Sequence, residues 1–96
     1  MAKNRTSNEG LVLRLYVAAN APNSVIAIAN IRAICNEHFS ARYKLEIVDS
    51  LKEPLRALAD GIILTPTLVK LLPLPVQRVI GNLNDTAQLL LTLGNK

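Results

Sequence analysis

The spacing of apolar residues in the first half of the chain predicts a strand, a helix and a second strand. Residues 11–18 are almost continuously apolar and rich in β-forming types, which is typical of a central strand covered on both faces. A helix is expected from residue 22 to about residue 39, because apolar side chains recur there with a helical period. Its apolar stripe consists of Val25, Ile28, Ile31, Ile34 or Cys35, and Phe39. Residues 43–49 alternate between apolar and polar, which predicts a second strand.

This order makes a βαβ unit, whose strands we expect to be parallel and joined by a right-handed crossover. The second strand should place alternate side chains on opposite faces of the sheet. These are Tyr43, Leu45 and Ile47 on one face, and Lys44, Glu46 and Val48 on the other. A short helix should follow at residues 54–59 and end before Gly61, packing through Leu55 and Leu58.

Residues 64–81 fit two structures. With a period of two they give strands at 65–71 and 76–80, joined at a corner made by Pro73 and Pro75, and so a β-hairpin. With a period of 3.6 they give an amphipathic helix. The stripe of that helix is Leu64, Leu68, Leu71 and Leu72. Both interpretations stay open, and a segment that satisfies two periods is a place where a second fold can arise.

The last apolar segment also allows two interpretations. Asp85 can cap a helix, and Gln88, three residues later, completes a capping-box pattern. The apolar positions of this helix are Leu83, Ala87, Leu90 and Leu91. Residues 89–93 fit a short buried strand equally well.

Composition indicates one domain. Half of the 96 residues are hydrophobic, which is enough for a single core, and we assign the domain to residues 11–96. Residues 1–10 form a polar head with little to bury and are expected to be disordered. Part of the net charge of +4 lies in this head, and the other basic residues are scattered without aromatic residues between them. We therefore expect no nucleic-acid partner.

The chain has a single cysteine, no apolar N-terminal segment of the signal-peptide type, and no run of ~20 apolar residues. We expect a cytoplasmic protein without a membrane span.

The sequence predicts no catalysis, metal or cofactor. Cys35 falls on the apolar stripe of the first helix, as a buried structural thiol would. His38 lacks a cluster of metal-binding residues at suitable spacing, and Ser24 has no histidine close in sequence and suits a first-turn or capping role. Asp49 and Asp60 are separated by a predicted helix and do not form a catalytic acid pair. We expect a protein that is not an enzyme.

The predicted order β-α-β-α-β-β-α, with Thr65-Pro66-Thr67 before the third strand, resembles the thioredoxin fold, whose members carry a cis proline there. Asn20-Ala21-Pro22-Asn23 stands where redox thioredoxins have Cys-Gly-Pro-Cys, and both cysteines are absent.

More specifically, the chain resembles the circadian clock KaiB family from about residue 11 to residue 93. The matching pattern comprises Leu15-Tyr16-Val17-Ala18, Asn20, Pro22-Asn23-Ser24, Val48-Asp49, Pro54, Thr65-Pro66-Thr67-Leu68, Lys70, Leu72-Pro73, Pro75-Val76, Arg78, Ile80-Gly81 and Leu83.

This resemblance implies a non-enzymatic protein that binds a KaiC-like hexameric ATPase and modulates its phosphorylation or ATPase cycle, in circadian timing or stress adaptation. It also implies fold switching of the C-terminal half. The free protein would form a tetramer, or its constituent dimer, with the order β-α-β-β-α-α-β, and a thioredoxin-like monomer would dock on the ATPase ring. The alternative is a stand-alone thioredoxin-fold sensor, or an input domain related to clock histidine kinases.

The chain also departs from the family's pattern. Ile26 replaces the usual basic residue, Gly61 replaces a common lysine, Thr92-Leu93-Gly94 replaces Gly-Leu-Asp, and no acidic tail follows Lys96. These departures argue against a retained contact with the clock protein KaiA. The candidate partner-binding or fold-switching residues are Lys44, Glu46, Asp60, Gly61, Pro66, Lys70, Pro73, Pro75, Arg78, Gly81, Thr92 and Gly94.

Overall fold

The computed structural model describes residues 10–40 and 42–94, so all of the predicted polar head except Gly10 lies outside the described residues. Seven elements follow one another in the predicted order β-α-β-α-β-β-α. Their bounds are β1 Leu11–Val17, α1 Pro22–His38, β2 Tyr43–Asp49, α2 Pro54–Ala59, β3 Thr67–Leu72, β4 Gln77–Ile80 and α3 Thr86–Leu93.

The strands form one mixed sheet in the order β2-β1-β3-β4, so β1 is central, as predicted. β1 and β2 are parallel, with Leu11 opposite Tyr43 and Val17 opposite Asp49. β3 is antiparallel to both β1 and β4. The parallel βαβ unit is therefore confirmed, and β2 and β4 are the outer strands.

Two apolar clusters cover the two faces of the sheet. The larger joins β1 and β3 to α1 and α3, and the smaller joins the sheet to α2. The most buried members of the larger cluster include Leu13, Leu15, Ile31, Cys35, Leu68, Leu89 and Leu93. The smaller cluster consists of Tyr16, Val48, Ala57 and Val69. The sheet is thus a middle layer, and α2 lies alone on one side of it.

The two ambiguous segments each take one structure here. Residues 67–80 form the β3–β4 hairpin, with its corner at the predicted prolines and a cis bond before Pro66. Residues 89–93 are helical, and the Oδ1 atom of Asp85 accepts the predicted capping bond from the Gln88 amide at 3.1 Å. The hairpin and the last helix are therefore confirmed for this arrangement.

The buried face of α2 differs from the predicted one, and those of α1 and α3 differ in part. In α1, Val25 is 54% exposed, and Ser24 and Ala27 are buried instead. The cause is local, because the Ser24 hydroxyl leaves solvent to accept a hydrogen bond from the Ala18 amide at 3.1 Å. The rest of the predicted stripe is confirmed, since Ile31, Ile34 and Cys35 are buried and Ile28 and Phe39 pack against the core. The first-turn role of Ser24 is confirmed.

In α2, the prediction that Leu55 and Leu58 pack against the sheet is wrong. Both are exposed, and Ala57 is buried against Tyr16. A small residue allows the short helix to approach the sheet closely and turns the leucines outward. Of the positions predicted for the last helix, Leu83 is buried and Leu90 packs against the core, whereas Leu91 is exposed and the buried leucines within α3 are those at 89 and 93. Consecutive leucines offer several helical stripes, and only tertiary packing selects one.

None of the helices within residues 10–40 and 42–94 combines the length and the apolar character that crossing a bilayer requires.

Candidate functional site

Helix α2 presents an apolar stripe to solvent. Leu51, Leu55 and Leu58 are 70%, 78% and 74% exposed. Leu51 lies in the turn before α2, and Leu55 and Leu58 lie three residues apart on the helix, away from Ala57, which holds α2 against the sheet. We call these three residues the α2 stripe. Ile63 and Leu64, in the segment that follows α2, are also exposed.

A polar network lies between α2 and the sheet, and Glu46 on β2 is one of its two centres. Both carboxylate oxygens of Glu46 accept hydrogen bonds from the Arg56 guanidinium on α2, at 2.7 and 2.9 Å. Oε1 also accepts from Nε of Arg14 on β1, at 3.0 Å. A second carboxylate, Glu53, lies 3.3 Å from Arg56. Glu46 therefore connects two strands to the short helix.

The second centre is Asp60, at the C-terminal end of α2. Its carboxylate accepts a hydrogen bond from the hydroxyl of Tyr16, which is fully buried, and another from Nη1 of Arg14 at 3.1 Å. The backbone carbonyl of Asp60 accepts from Arg78 on β4, whose guanidinium also donates to the Gly61 carbonyl at 3.4 Å. Asp60 therefore ties the end of α2 to the central strand and to an outer strand.

The electrostatics of these groups follow from their partners. The guanidinium groups of Arg56 and Arg14 lower the pKa of Glu46 to about 2. The hydrogen bond from Tyr16, together with that from Arg14, lowers the pKa of Asp60. Burial, and then the bond to Asp60, raises the pKa of Tyr16. Both carboxylates are therefore ionised at neutral pH and engaged in hydrogen bonds, as structural groups are.

Reactive groups in this part of the molecule are few. Within the described residues, no cluster of three or more His, Cys, Asp or Glu side chains is arranged to hold a metal ion. Cys35 is fully buried on the opposite face of the sheet, and its burial raises its pKa to about 11, so it is a poor nucleophile at neutral pH. This part of the molecule therefore offers an apolar contact surface, the α2 stripe, on a helix that charged side chains attach to the sheet.

Four of the residues singled out from sequence come together in the network: Glu46, Asp60, Gly61 and Arg78. Lys44 is exposed on β2, on the same face of that strand as Glu46.

The other candidates lie elsewhere. Lys70 is only 4% exposed, and its ammonium group donates to the Pro73 carbonyl at 2.7 Å, so in this arrangement it supports the hairpin corner from inside. The Pro66 carbonyl accepts from the Gly81 amide at 2.9 Å. Pro75 is exposed in the hairpin loop. Thr92 donates to the Gln88 carbonyl, and Gly94 ends α3 in the left-handed conformation.

Sequence reasoning missed half of the network and all of the α2 stripe. Arg14, Tyr16 and Arg56 were not among the candidates, although a charged residue within an apolar central strand, as Arg14 is, requires a partner and was a usable signal. The stripe was missed because leucines at helical spacing were assigned to the core. In a helix of only six residues, the pattern of apolar residues does not show which side is buried and which is exposed.

Comparison with known sequences identifies a family. The KaiB domain model matches residues 14–95. A circadian clock protein KaiB3 from Synechocystis sp. is 48% identical over 83 residues, which cover 86% of this chain and 81% of that protein. The circadian clock oscillator protein KaiB of Synechococcus elongatus is 48% identical over 82 residues, covering 85% of this chain and 80% of the relative.

Solved structures show the same fold at low sequence identity. The N-terminal domain of SasA from Synechococcus elongatus superposes with a TM-score of 0.71 at 20% identity, covering 98% of this chain and 95% of that one. A chloroplastic thioredoxin z superposes with a TM-score of 0.74 at 19% identity, covering 92% and 79%. The thioredoxin-like fold predicted from the order of elements is confirmed.

Proposed function

Since the chain belongs to the KaiB family of circadian clock proteins, we propose that it regulates a KaiC-like hexameric ATPase by binding to it. A regulatory role in the circadian clock follows from the family. The ATPase partner, the docking surface and fold switching are our proposals. The protein acts by binding, without catalysis of its own.

The observation that carries this proposal is the α2 stripe. Two leucines on one short helix and a third in the turn before it are each at least 70% exposed, and groups of exposed apolar residues of this kind mark interaction surfaces. Charged residues of the network lie on the other side of α2, between the helix and the sheet, and attach the helix that carries the stripe. We therefore assign the α2 stripe to the ATPase.

Affinity measurements with the KaiC-like ATPase encoded in the same genome test this assignment. Leu55→Lys should weaken binding by roughly 30-fold or more, as loss of an interface hot spot does. The matched control is Leu91→Lys, because Leu91 on α3 is also 78% exposed and lies on another element. Wild-type affinity for Leu55→Lys, or an equal loss for Leu91→Lys, would contradict the docking surface. No binding by the wild-type protein would contradict the ATPase partner itself.

We also infer that the second half of the chain switches to the order β-α-β-β-α-α-β in a free tetramer or dimer. Residues 64–72 and 89–93 each fit two periods, which supports two packings separated by a few kcal/mol. NMR of the free protein, with and without the ATPase, should show a second set of peaks confined to residues after about 50. Identical secondary structure in both samples would contradict the switch.

The alternative, a stand-alone sensor or an input domain of a clock kinase, has weaker support. The likeness to the SasA domain is at 20% identity, whereas the KaiB relatives reach 48%. A likeness at that level shows the fold alone.

A further inference from the structure

Apolar packing alone holds α2 weakly against the sheet. The helix has six residues, and its one buried side chain is that of Ala57, in a cluster with Tyr16 and Val69. Leu55 and Leu58 are exposed. A single methyl group buries little apolar surface, and a helix of this length is not stable by itself in water. The direction in which α2 presents its leucines therefore depends on the hydrogen bonds that reach it from the sheet.

These hydrogen bonds come from two sides. Side chains of β1 and β2 hold α2 and the residue that follows it from one side. Among the described residues, the β3–β4 hairpin adds hydrogen bonds to this region through the guanidinium of Arg78 alone, which donates to the backbone carbonyls of Asp60 and Gly61. Carbonyls at the end of a helix lack partners within it, and a cation there also interacts favourably with the helix dipole. Arg78 therefore closes the C-terminal end of α2 from the outer strand β4.

We propose that Arg78 is a positioning residue for docking on the ATPase, which holds the end of α2 so that Leu55 and Leu58 face the partner. This inference rests on the proposed function of the α2 stripe. The backbone of Arg78 pairs with Val69 on β3, so the hairpin places its guanidinium beside α2. Arg78 thus links the formation of the hairpin to the presentation of the stripe.

The geometry favours this role over a contact between Arg78 and the partner. Two of its guanidinium nitrogens, Nη1 and Nη2, donate to carbonyls of the chain itself, so its charge is directed to α2. The planar guanidinium serves two acceptors at once in a fixed geometry, whereas a lysine ammonium is a single flexible donor group. An arginine suits this position because two carbonyls converge on it.

A double-mutant cycle on affinity for the KaiC-like ATPase tests the role. Arg78→Ala should weaken binding about tenfold. In a Leu55→Ala background the same substitution should weaken binding by less than about threefold, because the leucine that Arg78 positions no longer contributes. A contact of Arg78 with the ATPase, or an effect on the fold switch alone, predicts equal losses in both backgrounds. Equal losses would overturn the proposal.

Two further substitutions separate position from charge. Arg78→Lys retains the charge and one donor group, so it should bind more tightly than Arg78→Ala and more weakly than the wild type. Arg32→Ala is the matched control, because it removes the same charge from the exposed side of α1, on the other face of the sheet, and should leave the affinity unchanged. An equal loss for Arg32→Ala, or no recovery by Arg78→Lys, would overturn the proposal.

Hydrogen exchange in the complex saturated with ATPase gives an independent measurement in the docked arrangement. The amides of Asp60, Gly61 and Ile62 donate to carbonyls of α2. They should exchange roughly tenfold faster in the Arg78→Ala complex than in the wild-type complex, while the amides of β1 remain protected. Unchanged exchange at the end of α2 would contradict a positioning role.

The failure of this inference is distinguishable from that of the proposed function. Wild-type affinity for Leu55→Lys would remove the docking surface, and with it the role of Arg78. Weak binding by Leu55→Lys, together with wild-type binding by Arg78→Ala, would leave the docking surface in place and overturn the role of Arg78 alone.

Discussion

The two halves of the molecule use their apolar residues differently. In the first half, up to Asp49, the leucines of β1 and the isoleucines of α1 are buried or partly buried apart from Ile26. Of the twelve large hydrophobic residues that the described structure exposes, ten lie after residue 50. The first half therefore places most of its large apolar side chains in the core, whereas the second half divides them between the core, as with Leu68, Leu89 and Leu93, and the surface. An apolar content that looks uniform along the sequence serves two purposes.

The halves also differ in how firmly their patterns specify one structure. Each segment of the first half satisfies one period, and its structure has the predicted order and strand pairing. Two segments of the second half satisfy two periods, and here β3 is held by its pairing with β1, and α3 by packing against the cluster of β1 and α1. The arrangement of the second half therefore depends on its contacts with the first half. The secondary structure that the local sequence favours agrees best with the tertiary structure in the first half.

The largest expected effect contrasts two leucines. Leu15→Ala should lower the free energy of unfolding by about 2–5 kcal/mol, because Leu15 is fully buried in the central strand and its loss leaves a cavity. Leu55→Ala should change it by no more than about 0.5 kcal/mol, because this side chain is mostly exposed. Urea unfolding followed by circular dichroism measures both. A large loss for Leu55→Ala would mean that α2 packs through its leucines after all.

The sequence alone predicts the elements of this fold better than it predicts which side of α2 is buried. Element type, order and the parallel pairing of β1 with β2 were predictable because period and turn residues are local properties. The rotation of α2 was not, because it depends on Ala57 meeting Tyr16, which lies 41 positions earlier in the chain. Of the candidate site, the charged residues near the end of α2 were partly anticipated, whereas their partners on β1 come from long-range pairing.

An intermediate effect is expected where the halves meet at Asp60. Asp60→Ala should cost about 1–3 kcal/mol of unfolding free energy, since it leaves the buried Tyr16 hydroxyl without its carboxylate partner. Tyr16→Phe in the same protein should recover part of that loss, because it removes a hydroxyl that is left with only the Arg56 carbonyl, at 3.3 Å, to donate to. A double-mutant cycle measures the coupling. Strictly additive losses would show that the bond between β1 and α2 contributes nothing to joining the halves.

The smallest effect is a pH dependence at Glu46. Its pKa in the folded protein is about 2, below the ordinary value, so the folded state favours the ionised form. Its stabilisation is therefore complete above about pH 4.5 and is lost as the pH falls toward 2. The side chain is 48% exposed, and solvent screening limits the expected contribution to less than about 1 kcal/mol.

Glu46→Gln should consequently lower the unfolding free energy at pH 7 and have a smaller effect near pH 2, where about half of the Glu46 side chains in the folded wild type are protonated. Urea titrations at the two pH values give the difference. Asp60 remains in both proteins, and its lowered pKa makes each of them less stable in acid, so only the difference between variant and wild type reports on Glu46. An equal effect of the substitution at both pH values would mean that the contribution of Glu46 to joining β1, β2 and α2 does not depend on its charge.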